Sequence, residues 1–169
     1  MGPIIFISSS VFILVLFPLS DRIQASAAPA GLMVIMAAFS IAPIGVLTSG
    51  WASNNKYSMI GGMRSAAQLM SYEIPLLLSM AGVFLLARSY NPVDIVEQQR
   101  EATWLFGLPM WNFIPQFIGF IVFMICILAE VERVPFDLPE AEAELVEGWT
   151  TEYSGIRYML FLAAEYIRG

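Results

Sequence analysis

The sequence predicts an all-α, polytopic membrane helical bundle, and three observations carry that reading. Hydrophobic residues make up 58% of the chain against 13% charged, mean hydropathy is +0.72, and apolar runs of membrane-spanning length recur along it. That balance belongs to the lipid phase, and residues 1–169 are read as a single transmembrane domain.

Five runs approach the roughly 17 to 25 residues that a crossing needs: residues 3–20, 29–49, 65–87, 111–129 and 154–169. The first has no charged leading region and no small-residue cleavage pattern, so it reads as a spanning helix and not as a signal peptide. The last stops at Gly169, short of a full crossing once the polar Glu152 and Tyr153 are discounted, and both ends read as cuts in a longer bundle. If every run crosses, the loops after the second and fourth lie on one side and those after the first and third on the other. Positive charge does not orient them, since Lys56, Arg64, Arg133 and Arg157 balance Arg22, Arg88, Arg100 and Arg168. The stretch from Arg88 to Glu101, with Asn91-Pro92 and Asp94, is expected to be a solvated connection.

Composition also excludes chemistry. The chain has one cysteine, Cys126, set among Ile, Phe and Met, and no histidine. A disulfide framework, a zinc site, a thiolate-held iron–sulfur cluster and a His-ligated haem are therefore not available from this chain alone. No Gly-rich turn follows a strand, so no dinucleotide site is expected. The net charge of −6 and the lack of a basic, aromatic-interleaved surface set nucleic acid aside.

The third run carries the first informative polar residues. Arg64, Gln68, Ser71 and Tyr72 recur at helical spacing and form a stripe on one face. Glu73 lies near the opposite face, alongside Ala66, Leu69 and Leu77. An ionised carboxylate at that depth is costly, so Glu73 is expected to face a water-filled or protein-lined interior. Pro75 cannot donate to the carbonyl of Ser71, which is expected to open the helix beside Tyr72 and Glu73. The competing reading makes Glu73 a structural carboxyl pinned to a neighbouring helix.

The second feature is AEVERVPFDLPEAEAELVEGWTTEY, whose acidic loop occupies residues 130–153. Pro135 disfavours helix at Val134, so the fourth helix is expected to end near Arg133. Asp137 and Glu140 have the spacing of a capping box for a short new helix, with Pro139 in its first turn. Such carboxylates are structurally useful, since they favour the helix dipole by about 0.3 to 1 kcal/mol. Glu142, Glu144, Glu147 and Glu152 extend the acidity further, with Arg133 the one basic residue among them. Like-charged carboxylates at short range resist full ionisation, a property suited to a proton relay. A solvated acidic loop is the simpler alternative. In the fifth run, Glu165 follows Glu152 by roughly 20 Å of helix. Glu73, Glu130, Glu152 and Glu165 together distribute carboxyls over one bundle.

Two stretches, GWASNNKYSMIGGMRSAAQLMSYEIPL and AEVERVPFDLPEAEAELVEGWTTEYSGIRYMLFLAAEY, closely resemble one membrane component of respiratory complex I, NADH:quinone oxidoreductase, the one called subunit 1 in mitochondria. That family has about eight membrane helices, so the resemblance implies a central portion without the first and the last two or so. It implies that Lys56 and the acidic loop face the cytoplasm, against a hydrophilic arm whose subunits carry NAD, FMN and iron–sulfur clusters. It places Arg133, Asp137, Glu140, Glu142 and Glu144 beside a quinone cavity and Glu73, Glu130, Glu152 and Glu165 on a proton path, with Arg64, Gln68, Tyr72 and Tyr153 in support. Trp149 stands where Tyr or Phe is more usual.

The resulting expectation is a quinone-chamber and proton-coupling subunit that binds no cofactor or metal itself. It would sit in a bacterial plasma membrane or a mitochondrial inner membrane, among hydrophilic quinone-module subunits and antiporter-like membrane subunits. Its rivals are the related subunit of an energy-converting nickel–iron hydrogenase, an independent ion channel or transporter, and a passive anchor.

Overall fold

A computed structural model describes residues 2–17, 30–101, 111–132, 134–137 and 148–168. Among them are helices α1 (Gly2–Leu16), α2 (Gly31–Phe39), α3 (Ala42–Ala52), α4 (Lys56–Ala87), α5 (Pro92–Glu101), α6 (Phe117–Glu130) and α7 (Ile156–Arg168), with one 3-10 turn at Gly148–Thr150. The described residues contain no strand. The all-α expectation holds among the described residues, and the helix ends differ from those of the apolar runs.

Serines in α1 do not interrupt it. Ser8 donates to the Ile5 carbonyl at 2.9 Å, and Ser9 and Ser10 donate to that of Phe6 at 2.8 and 3.1 Å. Their hydroxyls are thus satisfied inside the helix, as an apolar surrounding requires.

The run expected as one helix over 29–49 is broken at Ser40 and Ile41 into α2 and α3. Pro43, in the first turn of α3, supplies no N–H to the preceding turn and crowds it, so the ladder is interrupted there. The apolar run over 65–87 lies within the longer helix α4, which begins at Lys56. The Asn55 side chain accepts from the Tyr57 backbone N–H at 3.0 Å and caps it, which lets polar residues join the helix. α4 continues through Pro75 to Ala87, where Arg88 adopts a left-handed conformation (φ 53°).

Residues 92–101, expected as a solvated connection, form α5. Asn91 accepts from the Val93 N–H at 3.2 Å, Pro92 opens the helix, Asp94 lies in its first turn and Arg100 in its last. Those are helix signals without an apolar run. α6 starts at Phe117, since residues 111–116 form turns, and ends at Glu130 before the expected Arg133. Glu132 has φ 52°, a left-handed conformation that terminates the helix.

Two described stretches are long and apolar enough to cross a membrane, Gly31–Ala52 with 22 residues and Lys56–Ala87 with 32; Gly2–Leu16 and Phe117–Glu130 are apolar but shorter. α4 is central, with α3 on one side and α6 on the other, while α1 packs on α2, α3 and α7. Large apolar side chains point outward, among them Leu85 at 80%, Ile118 at 78% and Leu78 at 70% exposure. In water such a surface would be an aggregation hazard; in lipid it is the ordinary exterior.

The 3-10 turn lies directly on α4 because Gly61 has no side chain. A Cβ there would stand 2.8 Å from the Gly148 carbonyl carbon and the Trp149 nitrogen. Ser58 then donates to the Trp149 carbonyl at 3.0 Å. The Trp149 ring sits edge-on to Phe161 at 4.6 Å and to Phe6 at 5.7 Å, joining α7 and α1. Ala42, Val46, Leu69 and Ala164 complete this layer.

Candidate functional site

The polar stripe of α4 meets the segment that follows α6. Gln68 donates from Nε2 to the Ala129 carbonyl at 3.1 Å and to the Phe136 carbonyl at 2.9 Å. The end of a helix and the turn beyond it leave carbonyls in need of donors, and one amide serves both. One turn further, Tyr72 meets the Phe136 ring edge-on at 5.3 Å. Arg64 is exposed, one turn before Gln68, and Ser71 bonds back to its own helix at the Ala67 carbonyl, 2.6 Å away.

Glu73 occupies a different position. The Ser40 hydroxyl, at the break between α2 and α3, donates to Glu73 Oε1. The α2–α3 break therefore lies against α4 at Glu73. Leu76, one turn beyond Glu73, packs with Met36 of α2 and Cys126 of α6. Leu76 and Met36 also line a cavity of about 190 Å³ that reaches Phe123, Ile127 and the buried Glu130. Glu130 is the one carboxylate among the described residues lining it. Glu73 and Glu130 thus approach the Leu76 layer from α4 and α6.

Glu152 stands at the rim. Asn55 Nδ2 donates to Glu152 Oε1 at 2.7 Å while its Oδ1 caps α4, so one side chain fixes both the helix start and the carboxylate. Eighteen residues of α4 separate Asn55 from Glu73, about 27 Å along a helix. Tyr153 donates to the Ser49 carbonyl at 3.0 Å and packs on Phe161 at 5.0 Å. Glu152, Tyr153 and Arg157 line a cleft of about 520 Å³ bounded by Pro3, Ala52 and Ser53. Glu165 is half-buried on α7, next to Ala164 in the layer that contains Leu69, one turn before Glu73.

The structure therefore joins Gln68 and Tyr72 to the loop, Glu152 and Tyr153 to the α3–α4 turn, and Glu73 to Ser40. Asp137 is half-buried at the end of a described stretch, and its Oδ1 is buried without a partner among the described residues. Arg133, Glu140, Glu142 and Glu144 lie outside the described residues, as does the expected helix start after Asp137. The segment is not wholly solvated, because Gly148, Trp149 and Thr150 are buried.

Sequence reasoning missed Ser40, Asn55 and the pair in which Ser65 donates to Glu132. Pro43 and the Asn-before-helix pattern were available signals for the first two. Nothing in the spacing indicates that Ser65 and Glu132 meet, because that depends on the register of α4 against α6.

The family described as NADH dehydrogenase matches residues 1–169. Over 167 residues, 99% of this chain, the sequence is 49% identical to the H subunit of NADH-quinone oxidoreductase from Brevibacillus brevis, covering 47% of that protein. It is 47% identical over 167 residues to proteins of the same name from Bacillus mycoides and Bacillus cereus, with 99% of this chain and 48% of each relative covered. The chain spans about half the length of the curated relatives it matches.

Proposed function

The chain belongs to the NADH dehydrogenase family, and from that premise we propose that it is a membrane subunit of a proton-pumping NADH:quinone oxidoreductase. In this reading five helices cross a bacterial plasma membrane, or a mitochondrial inner membrane, and the 130–153 segment faces the cytoplasm. Arg133, Asp137, Glu140, Glu142 and Glu144 border the chamber where quinone is reduced. Electrons arrive from NADH through FMN and iron–sulfur clusters of partner subunits. The negative charge and proton demand created at the quinone are passed inward by Glu152, Glu130, Glu73 and Glu165 toward antiporter-like partners.

The observation that carries this reading is the Glu73–Ser40 contact at the α2–α3 break. A carboxylate of the long central helix has a hydroxyl partner, one turn from Leu76 in the cavity that Glu130 also lines. Hydroxyl and carboxyl groups in sequence are what a proton relay requires, and a passive anchor has no use for them. Gln68 links the relay to the loop, since α6 and the turn beyond it hang on its amide.

Mass spectrometry of the partners that co-purify with the chain tests the assignment. Recovery of flavin- and cluster-bearing NADH dehydrogenase subunits with antiporter-like membrane subunits is expected. A nickel–iron hydrogenase subunit in their place would overturn it. Within the assembled complex, Gln68→Leu removes two hydrogen bonds worth about 1 kcal/mol each. Quinone-linked NADH oxidation should fall by up to about 30-fold, the factor that roughly 2 kcal/mol represents, while oxidation by a hydrophilic artificial acceptor persists. Unchanged quinone turnover in intact complex would show that the Gln68 anchor is dispensable.

A further inference from the structure

The far end of the α4–α6 pair holds a second polar constellation that the proposed mechanism does not use. Asn112 and Gln116 lie one turn apart just before α6, with the Gln116 N–H donating to the Asn112 carbonyl at 3.2 Å. Both side chains line a cavity of about 190 Å³ whose walls include Met80, Val83, Phe113 and Phe120. Inside this part of the molecule Asn112 Nδ2 and Gln116 Oε1 are buried without a hydrogen-bond partner among the described residues. Ser79, which also lines the cavity, already donates to the Leu76 carbonyl at 2.7 Å.

An unpaired donor and an unpaired acceptor call for a group that both accepts and donates, and a hydroxyl does so. Turning both carboxamides over exchanges donor and acceptor and leaves the same demand, whereas turning one over would call for two donors or two acceptors instead. Among the described residues no charged side chain lines the cavity, which argues against a phosphate or carboxylate ligand.

The cavity shares Ser79, Gln116 and Gly119 with an outer groove bounded by Leu78, Phe117 and Ile118. Leu78 and Ile118 belong to the outward apolar surface, so the groove opens where lipid chains would lie. Gly82, in the groove, leaves room for the Gln116 amide, which a Cβ there would meet. Trp111 packs near Phe113 at 5.8 Å beside it, Gln99 of the polar helix α5 contributes to the wall, and such aromatic and polar groups mark headgroup level.

We propose that the Asn112–Gln116 cavity binds the free hydroxyl of a neutral lipid alcohol of the diacylglycerol type, with an acyl chain along the Leu78–Ile118 groove. This rests on the membrane reading above. The amide pair selects the hydroxyl, and the apolar walls select an uncharged amphiphile over a soluble polyol.

The test uses the complete complex in phosphatidylcholine vesicles containing a photoactivatable diacylglycerol with its reactive group on the glycerol moiety. Its methyl ether serves as the control, since it accepts a hydrogen bond and donates none. Labelling of peptides within 112–123 is expected to be about tenfold stronger with the free hydroxyl, the factor one discriminating hydrogen bond supplies. Gln116→Leu should reduce it to the level of the ether. Val83→Trp, which fills the cavity from α4 and leaves both amides in place, should do the same. Equal labelling by the two probes, or labelling unaffected by Val83→Trp in intact complex, would overturn the proposal and leave ordered water as the occupant. A probe carrying its reactive group on the acyl chain reports separately. If it fails to label α4 or α6 at all, the membrane reading falls and the site with it.

Discussion

Glu73→Gln should yield an assembled complex that oxidises NADH with a hydrophilic artificial acceptor at the parent rate, yet loses most of its quinone turnover and its proton pumping together. Glutamine preserves the size of the side chain and still accepts from Ser40 through its carbonyl oxygen, so the α2–α3 break keeps its partner. What disappears is the exchangeable carboxyl proton. If Glu73 relays protons, tightly coupled chemistry stalls when that step is blocked, and a loss of at least about 100-fold corresponds to roughly 2.7 kcal/mol added to the barrier. Quinone-linked NADH oxidation and acidification in proteoliposomes, normalised to artificial-acceptor activity, provide the comparison. Near-normal values in both assays would reduce Glu73 to a structural carboxyl. Ser40→Ala should have a smaller effect, because it removes the partner and retains the titratable group.

Gly61→Val should prevent accumulation of the complex. The added Cβ would stand 2.8 Å from backbone atoms of Gly148 and Trp149, neither of which lies at the end of a flexible side chain. The turn would have to lift from α4, breaking the Ser58–Trp149 hydrogen bond and displacing a ring that meets both Phe161 and Phe6. Overpacking of this kind costs about 1–3 kcal/mol before the lost ring contacts are added, and those contacts connect α4 to α1 and α7. Complex content measured by native electrophoresis should drop severely with Gly61→Val and hardly at all with Met63→Val, whose side chain is exposed on the same helix. Full assembly with Gly61→Val would mean that the 3-10 turn tolerates movement away from α4.

The helices were legible where apolar composition alone decides them, and less so where capping or a proline does. α4 is recognisable from its apolar part, but its first turns depend on Asn55, a residue that also holds Glu152 from the other end of the sequence. The break at Ser40 is foreshadowed by Pro43, and α5 by Asn91-Pro92 and Asp94, yet hydropathy favours an unbroken span in one case and a loop in the other. Among site residues, helical spacing separates Gln68 and Tyr72 from Glu73 correctly, because angular position on a helix is a local property. Their partners are not local. Ser40 meets Glu73 and Ser65 meets Glu132 only through the tertiary register of α2 and α6 against α4.

Redox-induced infrared difference spectroscopy of the assembled complex, in H2O and D2O, tests the proposed carboxylate path most directly because it observes carboxyl protonation during turnover. Quinone reduction in the parent complex is predicted to produce a carboxyl band that shifts in D2O, diminished in Glu73→Gln and again in Glu130→Gln, with cluster reduction unchanged in all three. The same band at full intensity in both variants would contradict a proton path through the bundle.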